Sequence, residues 1–104
     1  MAWWPCAVAG GDAHAGRTET SLALALLPER VRTERAQAGE RQPVGALMGR
    51  LRTEGVAGVS RNGVLGDPAG ASAAEGRVLV AQLAQRLRRA VERWQVGDDG
   101  RLLP

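Results

Sequence analysis

Chemically capable side chains are concentrated in one stretch of this 104-residue sequence, Gly10-Gly11-Asp12-Ala13-His14-Ala15-Gly16-Arg17-Thr18-Glu19-Thr20-Ser21. His14 is the only histidine, and an imidazole can carry or donate a proton near neutral pH. Glu19 falls in the first turn of an expected helix, where the helix dipole stabilises negative charge. A buried carboxylate there needs a partner, and either His14 or a metal ion would serve. Small residues flank each polar group, as happens where backbone and substrate approach closely. The competing reading is an ordinary hydrogen-bonded histidine beside a helix-start acid. One histidine excludes every zinc signature that needs two, and Cys6, the sole cysteine, has neither a disulfide partner nor metal-site spacing around it.

The elements that must position this stretch can be read from pattern. Residues 3–8 read as a short strand, with Pro5 suited to an edge and the paired tryptophans pointing to opposite faces. Gly10-Gly11 breaks the chain, and a helix is expected over 17–27. Its core, Ser21-Leu22-Ala23-Leu24-Ala25-Leu26-Leu27, is apolar all round and so should be buried. Pro28 ends it. Residues 29–42 read as a polar surface loop with a short strand near Val31. A helix over 44–52 is stopped by Gly55, and residues 56–59 read as a strand. The run 61–70 is dense in turn formers. The last helix is expected over 73–95, opened by a Ser72–Glu75 capping box, with Val80, Leu83, Leu87, Val91 and Trp94 on one stripe that covers a sheet. Residues 97–104 read as a polar tail that frays, which leaves 1–96 as the domain.

Composition limits the partners. The basic charge is carried by 14 Arg and no Lys, for a net charge of only +3. Those arginines are spread from Arg17 to Arg101 instead of forming a basic run, which argues against nucleic-acid binding. No apolar run approaches the roughly 18 residues of a membrane-spanning helix. Ala7-Val8-Ala9 has the small-residue form of a signal cleavage site, but no basic residue precedes it, and a cytoplasmic protein is expected. Leu and Val together number 22 and Phe and Ile are absent, close to the roughly one-fifth of large aliphatics below which independent folding becomes doubtful.

Asp12-x-His14-Ala15-Gly16-x-x-Glu19-Thr20-Ser21 closely resembles the C-terminal signature of the creatininase family, metal-dependent amidohydrolases with an α/β fold. Gly63-Val64-x-Gly66-Asp67-Pro68, followed by Ala71-x-Ala73-x-x-Gly76 opening a helix, is similar to that family's second C-terminal pattern. Trp3-Trp4-Pro5 and the fuller strings around both motifs look most like the family's mycofactocin-system branch. The resemblance implies a C-terminal portion of a creatininase-like α/β sandwich, with short strands, a buried helix and a long amphipathic last helix. It implies an amide or peptide hydrolase that trims a modified precursor peptide and is a homo-oligomer when intact. It further implies that His14 faces the substrate or a metal-bound water, and that Glu19 orients His14 or contributes to the metal site. Asp12 would stabilise the loop or contact substrate, Trp4 would line the pocket and Arg17 would meet a peptide carboxylate.

The family also carries a Glu-x-His-Gly segment, a following metal-binding Asp and an Asn-Gly-His-Gly-Gly-Asn segment. None of these occurs here. The sequence is therefore expected to be a fragment or one piece of such an enzyme. The zinc, iron or manganese expected in the intact protein would bind weakly or not at all to this chain. The rival expectation is a small helical interaction protein that is not an enzyme and dimerises through its last helix.

Overall fold

A computed structural model describes residues 1–104 and shows three helices, α1 (Arg17–Leu26), α2 (Val44–Val59) and α3 (Ala73–Arg93). Two single 3₁₀ turns, Pro28–Arg30 and Thr33–Arg35, follow α1. They occupy the stretch where a strand near Val31 was expected. Pro28 sits at the first position of its turn, where its fixed φ favours helical geometry over extension.

α1 and α3 pack against each other, and the contact is set by two small residues. A Cβ on Gly76 would overlap the Ser21 carbonyl oxygen, so the two backbones approach as closely as glycine permits. Ser21 is fully buried, and its Oγ accepts the Ser72 N–H at 3.1 Å. Beside this contact Arg17 Nε lies 2.8 Å from Glu75 Oε2. The expected capping box is thus half formed. Ser72 Oγ accepts the Glu75 N–H at 3.1 Å, but the Glu75 carboxylate turns to Arg17 and the Ser72 N–H turns to Ser21. α3 ends two residues earlier than expected, at Arg93, because Trp94 takes a left-handed conformation (φ 45°) and donates its N–H to Ala90.

Residues 56–59 are helical, not a strand. Gly55 leaves helical geometry (φ 69°, ψ −176°) and so stops the first piece of α2, as expected, but a second helical piece follows across the kink, in which the Ser60 N–H reaches the Val56 carbonyl at 2.8 Å. The kink lets Val59 join Leu47 and Leu65 in a small buried cluster, with Leu51 packed against it.

No regular strand forms. Single bridges pair Trp3 with Arg101 in parallel, and His14 with Leu65 and Val96 with Leu102 in antiparallel sense. The short strands and sandwich expected from the sequence are therefore not present in this chain. A ladder needs consecutive partners on a neighbouring strand, and each extended segment here finds one. The 97–104 segment does not fray. Leu102 is 5% exposed and donates its N–H to the Trp3 carbonyl at 2.8 Å, while Trp3 Nε1 donates to the Asp99 carbonyl at 3.0 Å.

Burial is shallow. The Cα radius of gyration is 15.7 Å, against about 13 Å for a compact domain of this length. α1 is buried on the side facing α3, but Leu26 and Leu27 are exposed, so the helix is not enclosed as its all-round apolar sequence led one to expect. No helix is long and apolar enough to cross a membrane.

Candidate functional site

The chemical groups sit on the loop that feeds α1, and Asp12 holds that loop in shape. Its Oδ2 accepts the Arg17 N–H at 2.6 Å and its Oδ1 the Thr18 N–H at 3.0 Å, so one carboxylate satisfies two orphan donors of the first helical turn. Partial burial raises its pKa, but the backbone N–H groups of Thr18 and Arg17 outweigh this and leave it below its usual 3.8. The carboxylate is wedged between two glycines, since a Cβ on either Gly16 or Gly66 would overlap it. Of the two roles open to Asp12, loop stabilisation accounts for both of its oxygens.

The next residues are held from the other side by the second motif. The Ala13 and His14 N–H groups both donate to the Leu65 carbonyl at 3.1 Å, and the Leu65 N–H returns to the His14 carbonyl at 2.9 Å. Ala15 then takes φ 52°, a conformation uncommon for a residue with a side chain. Its N–H donates to Glu19 Oε2 at 2.6 Å. The same oxygen lies 3.2 Å from His14 Nδ1, so the carboxylate clamps the turn and the imidazole together.

Glu19 is partnered, as expected, but it is not buried. The side chains of His14 and Glu19 are 59% and 53% exposed. Nδ1 lies within reach of the carboxylate, and a proton carried there would face Glu19. Nε2 is then left free to accept one from a group approaching out of solvent. The geometry suits proton transfer by an oriented imidazole. Glu19 also borders a groove of about 390 Å³ whose walls include Cys6, Val8, Asp12, Leu22 and Leu83.

The other predicted site residues are not gathered around this pair. Arg17 is paired with Glu75 at the α1–α3 contact. Trp4 is half-buried beneath Arg86, whose guanidinium carbon lies 5.6 Å from the ring centroid. Asp67 caps its own turn by accepting the Ala69 N–H and pairs with Arg41 at 2.6 Å, so Gly66-Asp67-Pro68 is the tight turn that leads toward α3.

Two residues of the 61–70 loop, itself expected to be ordered, have roles that the sequence did not single out. Leu65 registers the His14 segment through its backbone, which no side-chain pattern reports. Asn62 ties its loop to a distant segment: its Oδ1 accepts the Val64 N–H and its Nδ2 donates to the Ala38 carbonyl at 3.0 Å. The Asn62-Gly63 pair, with Gly63 at φ 79°, was the available signal for such an ordered turn.

The chain does not supply a metal site by itself. No three of its His, Cys, Asp and Glu side chains converge, and the nearest candidate oxygen, Glu19 Oε2, already faces the Ala15 N–H and His14 Nδ1.

The order and spacing of these groups match a known pattern. A family model described as creatininase (creatinine amidohydrolase) matches residues 2–91. The chain belongs to the creatininase family. That family has an α/β fold and comprises amidohydrolases. The mycofactocin precursor peptide peptidase of Mycobacterium tuberculosis (strain CDC 1551 / Oshkosh) is 52% identical to this creatininase-family chain over 100 residues. The proteins of the same name from Mycobacterium ulcerans (strain Agy99) and Mycolicibacterium smegmatis (strain ATCC 700084 / mc(2)155) are 49% and 44% identical. Each alignment covers 96% of this chain and 40% of the relative, so the chain spans about two-fifths of the length of these relatives. It resembles their C-terminal part. No solved structure matches it.

Proposed function

We propose that this chain is the proton-handling portion of a creatininase-type peptidase acting on a modified mycofactocin precursor peptide in the cytoplasm. The observation that carries the reading is the His14–Glu19 pair, held on a loop whose Ala15 and Arg17 N–H groups donate to the Glu19 and Asp12 carboxylates. His14 Nε2 accepts a proton from the water that attacks the scissile amide and returns it to the leaving nitrogen as the C–N bond breaks. The products are a carboxylate and an amine. Glu19 keeps the imidazole oriented, as a carboxylate does behind a catalytic histidine. The relatives' names support the substrate class, and the family match supports the amide hydrolysis.

The family is generally metal-dependent. The donors in this chain do not fit a metal on their own, so no step is assigned to one here, and the 104-residue chain alone is expected to be inactive. Replacing the matched 100 residues of the M. tuberculosis relative with this chain tests the reading. The chimera should cleave the precursor peptide, His14→Gln should lower kcat by about 10²–10⁴-fold, the usual contribution of a general base, and Glu19→Gln should lower kcat less while shifting the pH profile. Full activity in His14→Gln would end the proposal.

A further inference from the structure

Arg17, the residue expected to meet a peptide carboxylate, is taken by Glu75. A different pair of arginines is free for that contact. The Arg35 N–H donates to the Arg32 carbonyl at 3.0 Å and closes the 3₁₀ turn over Thr33–Arg35. Side chains three positions apart eclipse in such a turn, and Arg32 and Arg35 both line one cleft of about 160 Å³. Neither guanidinium is in an ion pair.

The chemistry of the walls selects the occupant. Besides the two arginines, the polar side chains are Thr20, Thr33 and Gln37, and no carboxylate lines the cleft, not even Glu34 of the turn itself. Each of these groups can donate a hydrogen bond, and the guanidiniums can do nothing else. Two like charges held together repel, and an anion between them offsets that cost. The cleft therefore suits an acceptor with negative charge.

Its position ties it to the His14–Glu19 pair. Ala15 and Thr20, which follow His14 and Glu19 in the chain, both line it. So does Val64, the neighbour of the Leu65 backbone that holds the His14 segment. Sites that enclose a whole small ligand measure about 300–1,000 Å³, so this cleft has room for one group of a longer molecule.

We propose that Arg32 and Arg35 form a subsite for a carboxylate of the peptide whose amide bond is presented to His14. The inference rests on the reading of this chain as part of a peptidase, and it adds a determinant of which peptides are accepted. The carboxylate is the peptide's C-terminus or an acidic side chain near the cut, since both offer the same two oxygens to paired guanidiniums.

The test uses the chimera in which this chain replaces the matched 100 residues of the M. tuberculosis relative. Calorimetry on its His14→Gln form reads binding of the precursor peptide, and cleavage is followed in the parent chimera. Arg32→Gln and Arg35→Gln should each weaken binding by about 10-fold, the loss of one charge-assisted hydrogen bond, and should raise KM with kcat little changed. Arg30→Gln is the control, because Arg30 carries the same charge but lies outside the cleft; at ordinary salt it should change binding by less than about 2-fold. Peptides amidated at the C-terminus, or with Asp and Glu changed to Asn and Gln, identify the group. Against the neutralised peptide that lacks the contact, both arginine variants should bind as the parent does.

Arg32→Gln and Arg35→Gln effects no larger than that of Arg30→Gln overturn the proposal. So does a loss that persists against every neutralised peptide. A chimera that shows the coupling yet cleaves no peptide would instead count against the hydrolytic role of His14 and Glu19. One that cleaves through His14 without the coupling would count against the cleft alone.

Discussion

Replacing Gly76 with alanine should loosen the main helix–helix contact of this chain. The added Cβ would overlap the Ser21 carbonyl oxygen and crowd the Ala25 Cβ. Neither neighbour is the free end of a flexible side chain, so relief requires α1 and α3 to move apart. That movement would stretch the Ser72 N–H bond to Ser21 Oγ (3.1 Å) and the Arg17–Glu75 pair (2.8 Å). Overpacking costs about 1–3 kcal/mol, here toward the upper end because backbone must shift, and the gain in helix propensity returns up to about 1 kcal/mol. The net expectation is a loss of about 2 kcal/mol. Gly49→Ala provides the control, because Gly49 lies in α2 with open space where its Cβ would go; it should gain up to about 1 kcal/mol. Urea unfolding followed by circular dichroism compares both with the parent chain. Equal stabilisation by the two substitutions would refute the close approach of α1 and α3.

Three further outcomes follow from the same contacts. The Asp12 carboxyl is held below its usual 3.8, so its stabilising effect is complete above the unfolded value and is lost as pH falls through the lower folded one. Thermal melts should show the parent chain losing stability relative to Asp12→Asn below about pH 4, and an unchanged difference between the two from pH 3 to pH 7 would contradict the capping role. Leu102→Ala should cost about 2–3 kcal/mol, as for other buried leucines, with the Trp3 emission shifting red; no change would mean that the tail is not docked. Calorimetric titration of the isolated chain with zinc should find no tight site, since a catalytic zinc ordinarily has about three protein ligands, and chelator-sensitive peptide cleavage by this chain alone would show that its donors had been misjudged.

The legible parts of the fold were those written in local chemistry. Ser72 and the apolar stripe locate α3 because capping and helical periodicity act within a few residues of each other. Pro28 likewise ends α1 on schedule. The misread segments all depended on something outside their own window. Residues 56–59 read as a strand, but beyond the kink at Gly55 the chain resumes a helical turn that brings Val59 to Leu47 and Leu65. Residues 97–104 look polar, yet Leu102 finds the Trp3 backbone nearly a hundred positions away.

At the candidate site, the grouping of Asp12, His14 and Glu19 on one loop was legible in the motif, while the contacts each makes were not. Only the three-dimensional arrangement shows Asp12 committed to the helix start and Glu19 to the imidazole and the Ala15 N–H. The glycines of both motifs have a physical reason that spacing cannot reveal: Gly16 and Gly66 come from separate segments and make room for one carboxylate.

The meeting of Trp3 with the 99–102 segment bears on how the chain is made. The indole and the carbonyl it serves are 96 positions apart, a separation that takes roughly 5–20 s to synthesise at ordinary elongation rates. Throughout that interval the Trp3 ring has no native partner, and α1 and α3 emerge and can pair before it is claimed. Closing so long a loop is also slow in entropic terms, which places this clasp late in the folding order. The Trp3 ring thus waits on residues made some 96 positions later, and an uncovered aromatic ring is open to other contacts until they emerge.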